Sequence, residues 1–145
     1  MPLPFELRAA KASDFSFCWP LYRDAVQPLT EALMAWNEAT QRRMVEQAVG
    51  GSDASILQTD KVDAGWLQVA ETRHVVHLQH LYLLPEMRNR GLGTAFLNWM
   101  KERADRKRKD LTLEVMANSP ARRLCDRLGF KALTTADNKI SMRYL

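Results

Sequence analysis

Cysteine is nearly missing from this chain: Cys18 and Cys125 are the two in 145 residues. Two thiols build no disulfide framework, and their separation matches no metal-ligand spacing. A reducing compartment is the default for such a chain. No apolar run reaches ~18 residues, so no membrane-spanning helix is expected. The stretch from Met1 to Lys11 has no charged start followed by an apolar core, so a signal peptide is not expected either. Cytoplasm follows by default. Linkers, internal repeats and low-complexity tracts are absent, and one domain over residues 1–145 is expected. Charge of one sign is also in short supply. A net charge of +4 is a modest excess that suits a small anionic ligand and argues weakly for nucleic acid. Apolar residues are not scarce; at 46% they are ample for a core.

Glycine is sparse too, with six residues, yet two of them stand together in Pro85-Glu86-Met87-Arg88-Asn89-Arg90-Gly91-Leu92-Gly93-Thr94. An apolar stretch, Leu78 to Leu84, runs into this segment and a long helical pattern runs out of it. The first N–H groups of a helix lack internal partners and carry the positive end of the dipole. A strand, a glycine-bearing turn and a helix therefore make a site for a phosphate group. Gly91 and Gly93 let backbone approach an anion, and Arg88 and Arg90 add donors suited to phosphate oxygens. Two familiar phosphate motifs are missing. No Gly-Lys-Ser/Thr closes a P-loop, and Phe96 stands where a dinucleotide fingerprint needs its third glycine.

A second segment, Asn118-Ser119-Pro120-Ala121-Arg122-Arg123-Leu124-Cys125-Asp126-Arg127-Leu128-Gly129-Phe130, follows the apolar run Leu111 to Val115. Ser119 can cap a helix, Pro120 suits its first turn and Gly129 its end. Together the two segments resemble the GNAT superfamily of N-acyltransferases, which use acetyl-coenzyme A. That family's Arg/Gln-x-x-Gly-x-Gly/Ala is matched by Arg88-Asn89-Arg90-Gly91-Leu92-Gly93. Its second motif, roughly Asn-x-x-Ala-x-x-Leu-Tyr-x-x-x-Gly-Phe, is matched at Asn118, Ala121, Leu124, Gly129 and Phe130. The resemblance is strongest from Leu78 to Phe130 and extends by element order over nearly the whole chain. It departs at Cys125, which stands where the family carries a tyrosine that can protonate the leaving thiolate. A thiol of unperturbed pKa ~8.5 can donate a proton, or can simply fill space on a helix face.

The patterns predict a strand over Phe5 to Ala9, then a helix from Ser13-Asp14 to about Gln27 that Pro20 bends or ends. A helical region from Thr30 to Val49, broken near Asn37, and a loop at Gly50-Gly51-Ser52 come next. Strands Ser55–Thr59, Gly65–Glu71 and His74–Leu84 form an antiparallel meander, with turns at Asp60-Lys61-Val62-Asp63 and Thr72-Arg73. A helix then runs to about Lys107. Leu111–Val115, a helix from Pro120 to Leu128, and strands Lys131–Thr135 and Lys139–Arg143 about the turn Asp137-Asn138 complete the chain. The fold class is α+β, with a mixed, mainly antiparallel sheet of six to seven strands flanked by helices. The resemblance implies that the strands before Pro85 and before Asn118 splay apart, with the pantetheine arm of the cofactor in the gap.

The resemblance also implies acetyl transfer from acetyl-coenzyme A, a cosubstrate, to an amine, without a metal. Cofactor contacts fall on Arg88, Asn89, Arg90, Gly91, Leu92, Gly93, Thr94 and Asn118, and on backbone groups near Leu81 and Leu83. Catalytic candidates are His77, as base, and Cys125, as acid. His77 lies eleven residues before Arg88, near where family members acting on histone tails or arylalkylamines carry Glu or His. An imidazole suits proton relay near neutrality. Gln79 shares a face with His77, whereas His74 and His80 share the opposite one, which disfavours a three-histidine metal site. Glu114 is a second base candidate. Trp19, Tyr22, Trp36 and Gln41 are candidate acceptor-pocket walls, and Asp24, Glu31 and Glu38 can attract a cationic amine. The basic run Arg103 to Lys109 offsets a helix dipole rather than binding nucleic acid. Edge strands and the last hairpin can support a homodimer. Two further readings compete: a non-catalytic coenzyme A-binding module, favoured by the missing tyrosine, and a nucleic-acid-associated protein, favoured only by mild basicity.

Overall fold

The computed structural model describes residues 3–144. Seven strands and four α-helices follow one another along it: β1 (Glu6–Ala9), α1 (Phe15–Glu31), α2 (Glu38–Gly50), β2 (Ala54–Thr59), β3 (Val62–Glu71), β4 (Val75–Leu83), α3 (Leu92–Lys107), β5 (Asp110–Met116), α4 (Ala121–Arg127), β6 (Phe130–Ala136) and β7 (Lys139–Tyr144). The strands form one sheet in the order β1-β2-β3-β4-β5-β7-β6. β4 and β5 pair parallel, a pairing that needs a crossover connection, and α3 lies in the connection between them. β1 with β2, β2 with β3, β5 with β7 and β6 with β7 pair antiparallel. The expected class, a mixed and mainly antiparallel sheet flanked by helices, is the one observed.

The chain divides into two compact units, one reaching Gln68 and including His80–Arg88, the other holding Val69–Gln79 and the chain from Asn89. In the first unit, α1 and α2 pack against the sheet through Cys18, Trp19, Leu21, Tyr22, Val45 and Val49, which meet Ala54, Ile56 and Trp66 from the strands. Tyr82 and Leu84 pack onto that cluster. Arg8 joins two carboxylates, Asp14 at 2.9 Å and Asp63 at 3.0 Å, and thereby ties β1 to the start of α1 and to β3. The second unit buries Leu92, Phe96, Leu97, Met100 and Ala104 of α3, together with Leu111 and Leu113 of β5 and Ile140 and Met142 of β7. The i, i+4, i+8 spacing of Leu92, Phe96 and Met100 puts them on one face.

Three local features differ from the sequence reading. α1 continues through Pro20 and Pro28 to Glu31 instead of ending at Pro20 or near Gln27. A mid-helix proline costs one hydrogen bond, roughly 3 kcal/mol. Here Cys18, Trp19, Leu21 and Tyr22 surround Pro20 and are all buried, so the packing of that stripe holds the helix together. The β2–β3 turn is two residues, Asp60 and Lys61 with φ of 52° and 65°, not four. Both residues are left-handed, which matches the twist of paired strands, and β3 can begin at Val62. Gly50 is the last residue of α2 rather than part of the loop. The break at Asn37 is where it was expected: its side chain accepts a hydrogen bond from the Thr40 N–H at 3.0 Å and caps α2.

Candidate functional site

The approach to α3 is built in steps. After β4, Leu84 leads into a single turn over Pro85–Met87. Asn89 then takes φ 61° and Gly91 φ 81°, two left-handed residues within three positions. Asn tolerates that region better than most residues, and Gly tolerates it without cost. The first bond of the helical ladder runs from the Ala95 N–H to the Gly91 carbonyl at 2.9 Å. The N–H groups of Leu92, Gly93 and Thr94 precede it, and no side chain caps this helix. Three donors at the positive end of a four-turn helix are thus left facing the loop. Asn89 and Arg90, which precede them in the chain, are exposed.

Gly93 is informative for a different reason. It has no left-handed φ, and a Cβ placed on it would sit 3.5 Å from Leu124 Cδ2, an ordinary van der Waals contact. Neither backbone angle nor protein packing requires glycine there, although glycine in a helix costs about 1 kcal/mol against alanine.

Arg88 donates from Nε to the Leu83 carbonyl at 3.2 Å. The Leu83 carbonyl is therefore engaged by the chain itself, while the terminal nitrogens of Arg88 extend beyond that bond. Leu81 and Leu83 are half-buried on β4. The parallel pairing of β4 with β5 covers four residues of each, Val75–Leu78 against Asp110–Leu113, although β4 runs on to Leu83 and β5 to Met116. Asn118 lies in the turn between β5 and α4, where Ser119 Oγ accepts from the Ala121 N–H at 3.2 Å. Gly129, with φ 95°, follows the end of α4.

The three histidines part company. His74 lies outside β4, in the turn that precedes it. His80 stacks on Trp66 with centroids 5.1 Å apart and bonds through Nδ1 to the Tyr82 hydroxyl at 2.8 Å. His77 faces β5: Nδ1 lies 2.7 Å from Thr112 Oγ1 and Nε2 lies 3.6 Å from Glu114 Oε1. Glu114 was visible in the sequence as a separate candidate, and the structure brings it to His77. Thr112 was missed, because a contact 35 residues away is set by strand register. Among the described residues no cluster of three or more His, Cys, Asp or Glu could hold a metal ion.

The expected acceptor walls are used differently. Trp19 and Tyr22 are buried in the core, and Tyr22 lies within 5.3–6.3 Å of Trp19, Trp36, Trp66, His80 and Tyr82 by ring centroid. Tyr22 donates its hydroxyl to Gln41 Oε1, and burial pushes that hydroxyl up to about 12. These rings pack on one another, so Trp19 and Tyr22 are core residues first. Trp36 is half-buried in the same cluster with its indole nitrogen enclosed and unpartnered. Asp24, Glu31 and Glu38 are exposed.

An acetyltransferase (GNAT) domain model matches residues 24–142, well over half of the chain. The chain belongs to the GNAT acetyltransferase family. Solved structures agree on the fold. PaiA N-acetyltransferase from Thermoplasma acidophilum, solved in complex with coenzyme A, has a TM-score of 0.69 at 15% identity, covering 97% of this chain and 98% of that one. YjaB from Escherichia coli, in its apo form, gives 0.74 at 14% identity, covering 97% of each. The ribosomal-protein-S18-alanine N-acetyltransferase from Escherichia coli gives 0.66 at 21% identity, covering 97% of this chain and 92% of that one. No curated protein matches the sequence. Within this GNAT chain, Cys125 is the residue expected to stand in for a tyrosine. It is 3% exposed on α4, and burial, with a smaller push from Asp126, raises its thiol to about 11.

Proposed function

We propose that this chain transfers the acetyl group of acetyl-coenzyme A directly to a primary amine. Gly93 carries the cofactor part of the reading: the chain keeps a glycine that its own fold does not need, beside three uncapped N–H groups. In this proposal the N–H groups of Leu92, Gly93 and Thr94 hold pyrophosphate oxygens. Arg88 and Arg90 add charge, Asn89 and Gly91 shape the turn, and Asn118 contributes from the neighbouring turn. Backbone groups around Leu81 and Leu83, beyond the part of β4 that pairs with β5, run along the pantetheine arm. They align the thioester and polarise its carbonyl as negative charge develops.

His77 is the proposed base. An ammonium gives up one proton to become a nucleophile, and the neutral amine then attacks the thioester carbon. The carbon–sulfur bond breaks, and the thiolate leaves with a second proton from the former amine. Cys125 is a poor source for that proton, because a thiol near 11 gives it up reluctantly to a thiolate whose own acid lies near ~8.5. The same burial favours a second reading, a coenzyme A-binding module without turnover.

Thermal unfolding with acetyl-coenzyme A, coenzyme A and adenosine diphosphate tests the cofactor site. A ligand at a hundred times its dissociation constant adds ~2.7 kcal/mol of stability. Stabilisation by the coenzyme A species, reduced in Arg88→Ala and in Gly93→Ala, supports the site, and its absence at saturation removes it. Release of free thiol on adding primary amines separates the enzyme from the binding module.

A further inference from the structure

We propose that Thr112 is a positioning residue for His77, that Glu114 binds the acceptor ammonium beside it, and that the three form a relay that takes the proton of the acceptor amine. This rests on the acetyl transfer proposed above and supplies its proton path. Thr112 stands directly opposite His77 in the parallel ladder, with Oγ1 2.7 Å from Nδ1. Donation from Nδ1–H to that hydroxyl fixes the tautomer in which Nε2 keeps its lone pair. Glu114, two residues further along β5, lies on the same face as Thr112. Its Oε1 is 3.6 Å from Nε2, too far for a direct hydrogen bond. Two acceptors at that separation can both reach one atom placed between them. A primary ammonium, with three N–H groups, can donate to Nε2 and to the carboxylate at once.

The surroundings fit this use. β7 sets Arg143 opposite Thr112 and Ser141 opposite Glu114. Arg143 bonds Asp110 at 3.2 Å, and Glu114 stays 43% exposed, with His77 at 27%. One proton passes from the ammonium to Nε2, and the imidazolium so formed is offset by the Glu114 carboxylate. The amine lone pair then forms the carbon–nitrogen bond while the carbon–sulfur bond breaks. The amine's second proton leaves with the thiol, and the proton on His77 is the one released past Glu114 to solvent.

Two readouts on the full chain test this. Histidine labelled with ¹⁵N reports the tautomer of His77 by long-range proton–nitrogen correlation. Thiol release reports turnover with saturating acetyl-coenzyme A across spermidine, small alkylamines and peptides with free amino termini. His77 is expected as the Nδ1–H tautomer in wild type. Thr112→Val should move it toward Nε2–H and lower kcat about tenfold, a fraction of the ~100-fold or more that loss of a base costs. KM for acetyl-coenzyme A should not change, and Thr112→Ser should restore both tautomer and rate. Glu114→Gln should lower kcat similarly while leaving cofactor stabilisation intact. An Nε2–H tautomer in wild type, or full turnover in both Thr112→Val and Glu114→Gln, overturns the relay alone. No thiol release by wild type with any amine, despite cofactor binding, overturns acetyl transfer and the relay with it.

Discussion

Cys18 and Cys125 look alike in sequence and behave alike in the fold, since burial raises one thiol to about 12 and the other to about 11. Both stay protonated near neutrality and both are enclosed. A thiol reagent at pH 8 should therefore label neither in the native protein and both after unfolding in guanidinium. Cys125→Ala should leave kcat within about threefold, against the ~100-fold typical of a lost proton donor. Glu71 makes a separate prediction. It bonds Lys109 at 2.6 Å and Lys107 at 2.9 Å, and these bonds lower its carboxyl from the ordinary 4.5 to about 2. Because the folded value lies below the unfolded one, the stabilisation is complete above about pH 4.5 and fades as pH falls toward 2. Glu71→Gln should cost up to ~1 kcal/mol in urea unfolding at pH 7, the scale of a surface ion pair. The gap to wild type should narrow as pH approaches 2. His77 was legible at this scale only as a candidate, because an imidazole suits a proton-relay role. Thr112 and the partners of Glu71 were not, since each contact spans 35 or more residues and depends on register.

Elements were legible where local chemistry decides them. Asn37 caps α2, Ser119 and Gly129 bracket α4, and the α3 glycines announce their turn, all through interactions within a few residues. α1 was misjudged because Pro20 is a local signal that the buried stripe around it overrides. The two α3 glycines should respond in opposite ways to the same change. Gly91 has φ 81°, so alanine there is strained and should destabilise by about 1–2 kcal/mol. Gly93 has no such angle and room for a Cβ, so Gly93→Ala should stabilise the ligand-free protein by about 0.5–1 kcal/mol. That variant should bind coenzyme A more weakly, which calorimetry reads directly. Equal binding by Gly93→Ala would mean that the phosphate does not approach this position.

At the scale of the whole molecule, the family was legible from two short motifs, while identities of 14–21% to the related structures leave most other positions unconstrained. The acceptor was not legible, because the aromatic residues that invited a pocket reading are spent largely on a core. The first unit needs Tyr82 and Leu84 to complete that core, yet both lie beyond Gln68. A peptide ending at Gln68 should therefore lack the near-ultraviolet dichroism of packed aromatic rings, whereas the full chain should show it. Synthesis on the ribosome meets the same arrangement in time. The amino-terminal helices and first strands emerge early with the Trp66 cluster but without Tyr82 and Leu84, and they wait while Val69–Gln79, which belongs to the other unit, is translated. Domains fold as units and tend to fold from the amino terminus during synthesis. Here that order is interrupted, and the first unit is expected to complete its core only once Arg88 has cleared the exit tunnel.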